Sequence, residues 1–141
     1  MLEQTSTLVV PLKTIHIGDR LKIDFRNLTL LSAGICFGLS IILLVAPQLL
    51  LSFWSVGFSE PVGLVCRRTA ALFAGIAVML FRLRHCLPSP ARSAVAIGLI
   101  LACSMLALLG MIEFTMGHSG PGILLAGVVE IVLALGFYFA R

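Results

Sequence analysis

Four long apolar runs, each almost free of charged residues, dominate this sequence of 141 residues. A helix needs about 20 residues to cross the roughly 30 Å hydrocarbon core of a bilayer. Every backbone polar group inside lipid has to be hydrogen-bonded within the protein, which favours an α-helix for each run. The predicted spans are residues 28–46, 61–81, 94–112 and 123–140, and Pro47 is expected to end or kink the first helix. The sequence therefore predicts an all-α polytopic membrane protein, a four-transmembrane-helix bundle that follows a short N-terminal segment, residues 1–27.

The composition excludes most soluble classes of protein. Hydrophobic residues make up 60% of the chain and charged residues only 11%, whereas a soluble domain has roughly 45–50% and about 25%. This chain has too few polar residues to cover itself in water. An ordinary soluble enzyme, a nucleic-acid-binding domain and a disordered protein are all disfavoured.

The start of the second span decides where two arginines lie. The stretch from Thr69 to Phe81 is too short to cross a bilayer at about 1.5 Å per residue. Ser59, Glu60 and Pro61 supply an earlier start signal, with a capping residue, an acid and a proline in the first turn. That start places Arg67 and Arg68 inside the membrane-spanning helix.

The basic residues predict an orientation. Ten Lys and Arg stand against six Asp and Glu. Four cations precede the first span, three flank the second loop and one ends the chain, while the first and third loops hold none if Arg67 and Arg68 belong to the span. By the positive-inside rule, both termini are expected in the cytoplasm.

The N-terminal segment carries no secretory signal pattern, because its apolar stretches are short and no cleavage site of small residues follows them. Ile17, Leu21, Phe25 and Leu28 fit one helical face that runs into the first span. We expect a cytoplasmic, interfacial amphipathic segment here, with residues 1–12 loosely ordered.

No metal or cofactor is expected. The sequence has no C-x-x-C pair, and no cysteine and histidine spacing resembles a zinc site. No two histidines are placed to hold a haem between helices. The cysteines are expected to be free thiols, three of them within the spans; the four are Cys36, Cys66, Cys86 and Cys103.

Small residues recur at helical spacing in the first three spans. Because water does not drive helices together inside lipid, they associate where small side chains let their backbones approach. The residues predicted to pack in this way are Gly34, Gly38, Ala71, Gly75, Ala94, Gly98 and Ala102. They favour a tight bundle with one small-residue face left for another subunit.

Glu130 is the most informative single residue, since it lies about 16 Å from the end of the fourth span, near the middle of the bilayer. An ionisable group at that depth costs several kcal/mol unless it is paired or neutral. In one interpretation, Arg67 or Arg68 pairs with Glu130 and only fixes the helix register. In the other, Arg67, Arg68, Glu113 and His118 line a polar cavity that leads to Glu130 and binds a lipid headgroup or a quinone, or carries protons.

A third possibility is that the two arginines snorkel to the outer interface instead.

The segment Cys66-Arg-Arg-Thr-Ala-Ala-Leu-Phe-Ala-Gly75 and the short basic second loop resemble those of the uncharacterised small four-helix inner-membrane proteins of bacteria. The resemblance covers residues 28–141, implies a bacterial inner (plasma) membrane and implies no activity. Small multidrug exporters also have four short helices and one membrane glutamate. Their glutamate belongs to the first helix, where this chain has no charge, so the chain does not resemble that family in its site.

No nucleophile–base arrangement or phosphate-binding loop occurs, so an enzyme is the least favoured class. The sequence favours a non-catalytic integral membrane protein, either an accessory or scaffold subunit or a self-associating bundle. The alternative is a small carrier or lipid- or quinone-binding protein that uses an intramembrane Glu–Arg site. The expected partners are the lipid bilayer and either a membrane protein or further copies of the chain, with no nucleic acid.

Overall fold

The computed structural model describes residues 24–140, and within that range it contains five α-helices and no strand. The helices are α1 (Phe25–Val45), α2 (Pro47–Phe53), α3 (Glu60–Leu83), α4 (Pro90–Thr115) and α5 (Gly122–Ala140). All except α2 are long and apolar enough to cross a membrane. The predicted all-α architecture with four spans is confirmed. Of the N-terminal segment predicted over residues 1–27, residues 1–23 lie outside the described residues, as does Arg141, and residues 25–27 belong to α1.

Local capping explains where the helices begin. Asp24 caps α1, since its Oδ1 accepts a hydrogen bond from the backbone N–H of Arg26 at 3.2 Å. Ser89 caps α4 in the same way, its Oγ accepting from the N–H of Arg92 at 3.2 Å. Pro90 fits the first turn because that turn needs no N–H donor. As a result, α4 begins about one turn before the predicted residue 94.

The break between α1 and α2 lies where Pro47 predicts it. α1 ends at Val45, and α2 starts at Pro47 with the proline in its first turn. Proline lacks the N–H that would continue the ladder of α1. The chain therefore turns at this point and runs through α2 before α3 starts at Glu60.

The long helices form two antiparallel hairpins. α1 packs along α3, α4 packs along α5, and the hairpins meet mainly through α1 and α5. α1 is consequently the central helix, with α3 on one side and α5 on the other. The larger core cluster draws on all four spans and consists of Phe25, Leu28, Ala33, Leu80, Ala96, Leu133 and Phe137.

One end of the domain is held by a single arginine. This arginine end comprises the start of α1, the end of α3, the α3–α4 loop, the start of α4 and the end of α5. The Arg92 guanidinium lies 3.7 Å from the centroid of the Phe25 ring and donates through Nη2 to the carbonyl of Ala140 at 3.0 Å. Phe25 in turn contacts Phe137 edge to face, with ring centroids 6.1 Å apart. Arg92 thus joins the two hairpins.

The opposite end is held by backbone contact. This glycine end comprises α2, residues 54–59 and the turn between α4 and α5. The N–H of Gly120 donates to the carbonyl of Trp54 at 2.6 Å. A Cβ at Gly122 would collide with the carbonyl oxygen of Phe53, and one at Gly120 would collide with the side chain of Ser55. Only glycine allows this approach at the two positions.

The small residues at contacts within the chain are not those predicted to pack. The buried ones are Ala33, Gly63, Ala70, Ala77, Ala96, Gly110, Ala134 and Gly136. Of the predicted set, a Cβ at Gly34, Gly38, Gly75 or Gly98 would meet nothing within 4 Å, and the three alanines Ala71, Ala94 and Ala102 are exposed. The predicted set therefore lies on outer faces of the chain. Whether those faces meet another subunit stays a prediction.

Candidate functional site

Glu130 lies at the middle of α5 and is half-buried. Alanines stand one turn before and one turn after it, at Ala126 and Ala134, and the second of these is buried. Within residues 24–140 the Glu130 carboxylate forms no ion pair and no hydrogen bond that fixes its position. A carboxyl group without a fixed partner at mid-span depth is the feature that most needs a functional explanation.

The two arginines predicted to meet Glu130 lie elsewhere. Arg67 and Arg68 are both exposed on α3, and α3 packs against α1 rather than against α5. The predicted Arg–Glu130 ion pair is therefore absent among the described residues. The rise of the helix gave comparable depths for these groups, but depth alone says nothing about which helices are neighbours.

One thiol, that of Cys103, interacts electrostatically with Glu130 instead. The Cys103 thiol of α4 is within electrostatic range of Glu130 and of Cys36 on α1. Both cysteines pack against the larger core cluster, and both are half-buried. The three residues form a mid-span cluster contributed by three different helices.

The sequence held a signal for this cluster. Cys36, Cys103 and Glu130 each stand close to the midpoint of a predicted span. Their common depth could have been read from the chain, although cysteine usually acts as a small hydrophobe in such a run. α1 also carries Ser32, one turn before Cys36. The Ser32 hydroxyl is buried without a hydrogen-bond partner among the described residues.

Glu113 and His118 do come together, at the glycine end. The Nδ1 atom of His118 lies 2.9 Å from Oε2 of Glu113. Both side chains are largely exposed, and the pair spans the turn that follows α4. Of the five residues predicted to form a binding site, only these two are joined. The part of the chain that is described brings neither of them to the arginines or to Glu130.

A metal site finds no support in this part of the chain. Between residues 24 and 140, no three histidine, cysteine, aspartate or glutamate residues lie where they could hold one ion. Cys36, Cys66, Cys86 and Cys103 are all free thiols.

The outer face of α4 is the second candidate site. α4 is the least buried span, with 11% of its most apolar 18-residue window buried against 33% for α1. Ala94, Gly98 and Ala102 follow one another at four-residue spacing along its exposed side. Larger apolar side chains beside them, Ile97, Leu101 and Met105, are also exposed. The face is apolar, with a shallow row of small residues beside a row of larger side chains.

Comparison with known proteins gives no match, whether to a family model, to a curated protein or to a solved structure. The geometry of the chain itself is that of a membrane protein with four apolar spans.

Proposed function

We propose that this chain is a non-catalytic integral membrane protein, an accessory or self-associating subunit that assembles laterally through the outer face of α4. The observation that carries the proposal is the small-residue face of Ala94, Gly98 and Ala102, which no other part of the described chain covers. The contacts between helices within the chain already use a separate set of small residues.

Packing physics supports the choice of α4. Lipid tails are as apolar as leucine, so helix association depends on close van der Waals contact rather than on expulsion of water. A glycine flanked by alanines one turn on each side lets a second helix approach closely. α4 packs mainly against α5, and the side that carries Ala94, Gly98 and Ala102 stays exposed and open to a partner helix.

The distribution of charge supports an orientation in the bilayer. The described cations apart from Arg67 and Arg68 lie at the arginine end, and they are Arg26, Arg82, Arg84 and Arg92. Under the positive-inside rule that end faces the cytoplasm, together with both termini. The proposed location is the inner membrane of a bacterium, in line with the resemblance described above.

Native mass spectrometry of the full chain, extracted from its own membranes in mild detergent, tests the assembly. The wild-type chain is expected to appear with a stoichiometric partner subunit or as a homo-oligomer. Gly98→Leu fills the shallow row of the α4 face and should shift the mass to the lone chain. Gly34→Leu is the matched control, because it adds the same side chain to an open position on α1.

The masses of the two variants decide whether the complex forms through α4. Loss of the complex in Gly98→Leu but not in Gly34→Leu supports the proposal. A wild-type chain that is found only as a monomer, or a complex that both variants keep, contradicts it.

The mid-span cluster favours a second candidate function, that of a small carrier or a protein that binds a lipid or quinone through Glu130. Among the described residues no arginine pairs with Glu130, and the Cys103 thiol interacts with its carboxyl group instead. In proteoliposomes, this function predicts a pH-dependent flux or ligand signal that disappears in Glu130→Gln. Glu113→Gln changes an exposed carboxylate and should leave the signal intact. An identical response from wild type and Glu130→Gln would eliminate this candidate.

A further inference from the structure

A groove runs between α1 and α3 on the outer surface of their hairpin. It has a volume of about 360 Å³ and is lined only by apolar residues: Leu30, Ala33, Gly34, Phe37, Ala77, Val78 and Phe81. Its floor is low because Gly34 has no side chain and a Cβ there would meet nothing within 4 Å. From Leu30 to Phe37 the groove extends roughly 10 Å along the helix axis, from near the arginine end to the middle of the span.

Three arginines lie at the arginine end, which the groove approaches. The Arg84 guanidinium lies 3.4 Å from the centroid of the Phe81 ring, which lines the groove. Arg82 follows the groove residue Val78 by four positions on α3, and Arg26 precedes Leu30 by four on α1. Residues at this spacing share a helix face. Arg82 and Arg26 therefore lie one turn beyond the groove residues, on the same helix faces that line the groove.

These cations differ from Arg92 in what they contact. Arg92 is committed to the ring of Phe25 and to backbone carbonyls of the chain. Arg84 bonds only to His85 and to the carbonyl of Phe81, through Nε and Nη1. Its Nη2 has no partner among the described residues, and Arg82 forms no ion pair within them. Guanidinium groups with free donors are suited to phosphate oxygens.

We propose that this groove binds one anionic phospholipid, with an acyl chain against Gly34 and Phe37 and the headgroup phosphate at Arg82 and Arg84. Charge complementarity identifies the occupant. An apolar channel that ends in arginines at the membrane surface matches a molecule with an apolar chain and an anionic head. A partner helix would instead bring an apolar surface to these arginines and leave them without a counter-charge.

The site is separate from the α4 face, so the two proposals can fail independently. Gly34 and Gly98 lie on different helices and both face open space. Leucine at Gly34 fills the groove and leaves the α4 face unchanged, whereas leucine at Gly98 does the reverse. The same two variants therefore serve as controls for each other.

Native mass spectrometry with defined lipids tests the proposal on the full chain. The purified protein is titrated with phosphatidylglycerol and with phosphatidylcholine of the same acyl chains. Wild type is expected to retain one phosphatidylglycerol with a preference of about tenfold or more, from two surface arginines. Gly34→Leu should lose that bound lipid, and Gly98→Leu should keep it.

A charge variant tests the headgroup contact without filling the groove. Arg82→Gln with Arg84→Gln should bring phosphatidylglycerol binding down to the level of phosphatidylcholine, whereas Arg67→Gln with Arg68→Gln should preserve the preference. Equal binding of the two lipids by wild type would overturn the proposal, as would unchanged lipid retention in Gly34→Leu. A change of oligomeric mass in Gly34→Leu without loss of lipid would also overturn it, since the groove would then hold a second copy.

Discussion

The two ends of the domain hold the same pair of hairpins together by different means. At the arginine end, side chains make the connection: Arg92 reaches Phe25 and the last turn of α5, and Phe25 packs on Phe137. At the glycine end, backbone meets backbone, and Gly120 and Gly122 lie directly against residues 53–55. Side chains can readjust after a conservative change, whereas a backbone contact that depends on a missing Cβ has no such freedom.

Between these two ends the hairpins are joined mainly by α1 and α5. The mid-span cluster of Cys36, Cys103 and Glu130 lies in this region. Contacts at both ends hold the two hairpins together, and the mid-span cluster lies between those ends. Changes at the ends should therefore alter stability, whereas changes in the middle or on outer faces should alter binding or assembly.

The largest effect on stability is expected from removing the aromatic anchor of the arginine end. Phe137 is 1% exposed, and Phe137→Ala should lower the free energy of unfolding by about 3 kcal/mol, at the low end for a buried aromatic because lipid is the surrounding solvent. Phe139→Ala is the matched control, since Phe139 is 68% exposed on the same helix. Thermal unfolding in detergent measures both, and equal effects would contradict the assigned packing.

The glycine end should respond to a single added methyl group. In Gly122→Ala, the new Cβ collides with the backbone of Phe53, and overpacking of this kind costs about 2 kcal/mol or more. Gly127→Ala adds the same atom to the same helix where nothing lies within 4 Å. That control should be neutral or slightly stabilising. If Gly122→Ala proved as stable as the control, the assigned contact between Gly122 and the end of α2 would be wrong.

A change at Arg92 should have a somewhat smaller effect, because side chains can partly readjust. Arg92→Gln loses the interaction with the Phe25 ring and the hydrogen bond to Ala140, which together are worth about 2 kcal/mol. Arg68→Gln removes one exposed positive charge from α3 and should change the unfolding free energy by no more than about 0.5 kcal/mol. Chemical or thermal unfolding separates the two variants, and a neutral Arg92→Gln would show that the arginine end is held otherwise.

The smallest effect is expected at the exposed contact between Glu113 and His118 at the glycine end. Glu113→Gln weakens the contact with His118, and exposed pairs contribute about 0–1 kcal/mol. The expected loss of stability is therefore below about 1 kcal/mol, measured in the same unfolding assay. A loss as large as that of Gly122→Ala would mean that this pair, rather than the glycine contact, holds the turn.

The sequence predicts a feature when the interactions behind it are short-range along the chain. Pro47 and the start signal Ser59-Glu60-Pro61 act within one or two turns of their own helix, so the breaks they predict appear in the structure. The spans depend only on hydropathy and length. The lateral order of the helices depends on pairing between distant segments, which is why the sequence left open whether Arg67 or Arg68 meets Glu130 or turns to the outer interface.

The small residues show the same limit. Glycine and alanine occur at four-residue spacing on more than one face of these helices, so Gly98 and Gly136 are equally plausible packing positions from sequence alone. The structure buries Gly136 against Leu28 and leaves Gly98 open. Arg92 was likewise identifiable as a basic residue near the bilayer surface, but its contact with Phe25 depends on how three helices meet.

The most direct test of lateral assembly through α4 is photo-cross-linking in the native membrane. A photoreactive leucine analogue is placed either at Leu101 on the α4 face or at Leu125 on α5, positions that are 60% and 59% exposed. Our account predicts one discrete protein adduct from Leu101, lost when Gly98→Leu is added, and only lipid adducts from Leu125. Lipid adducts alone at both positions would contradict it.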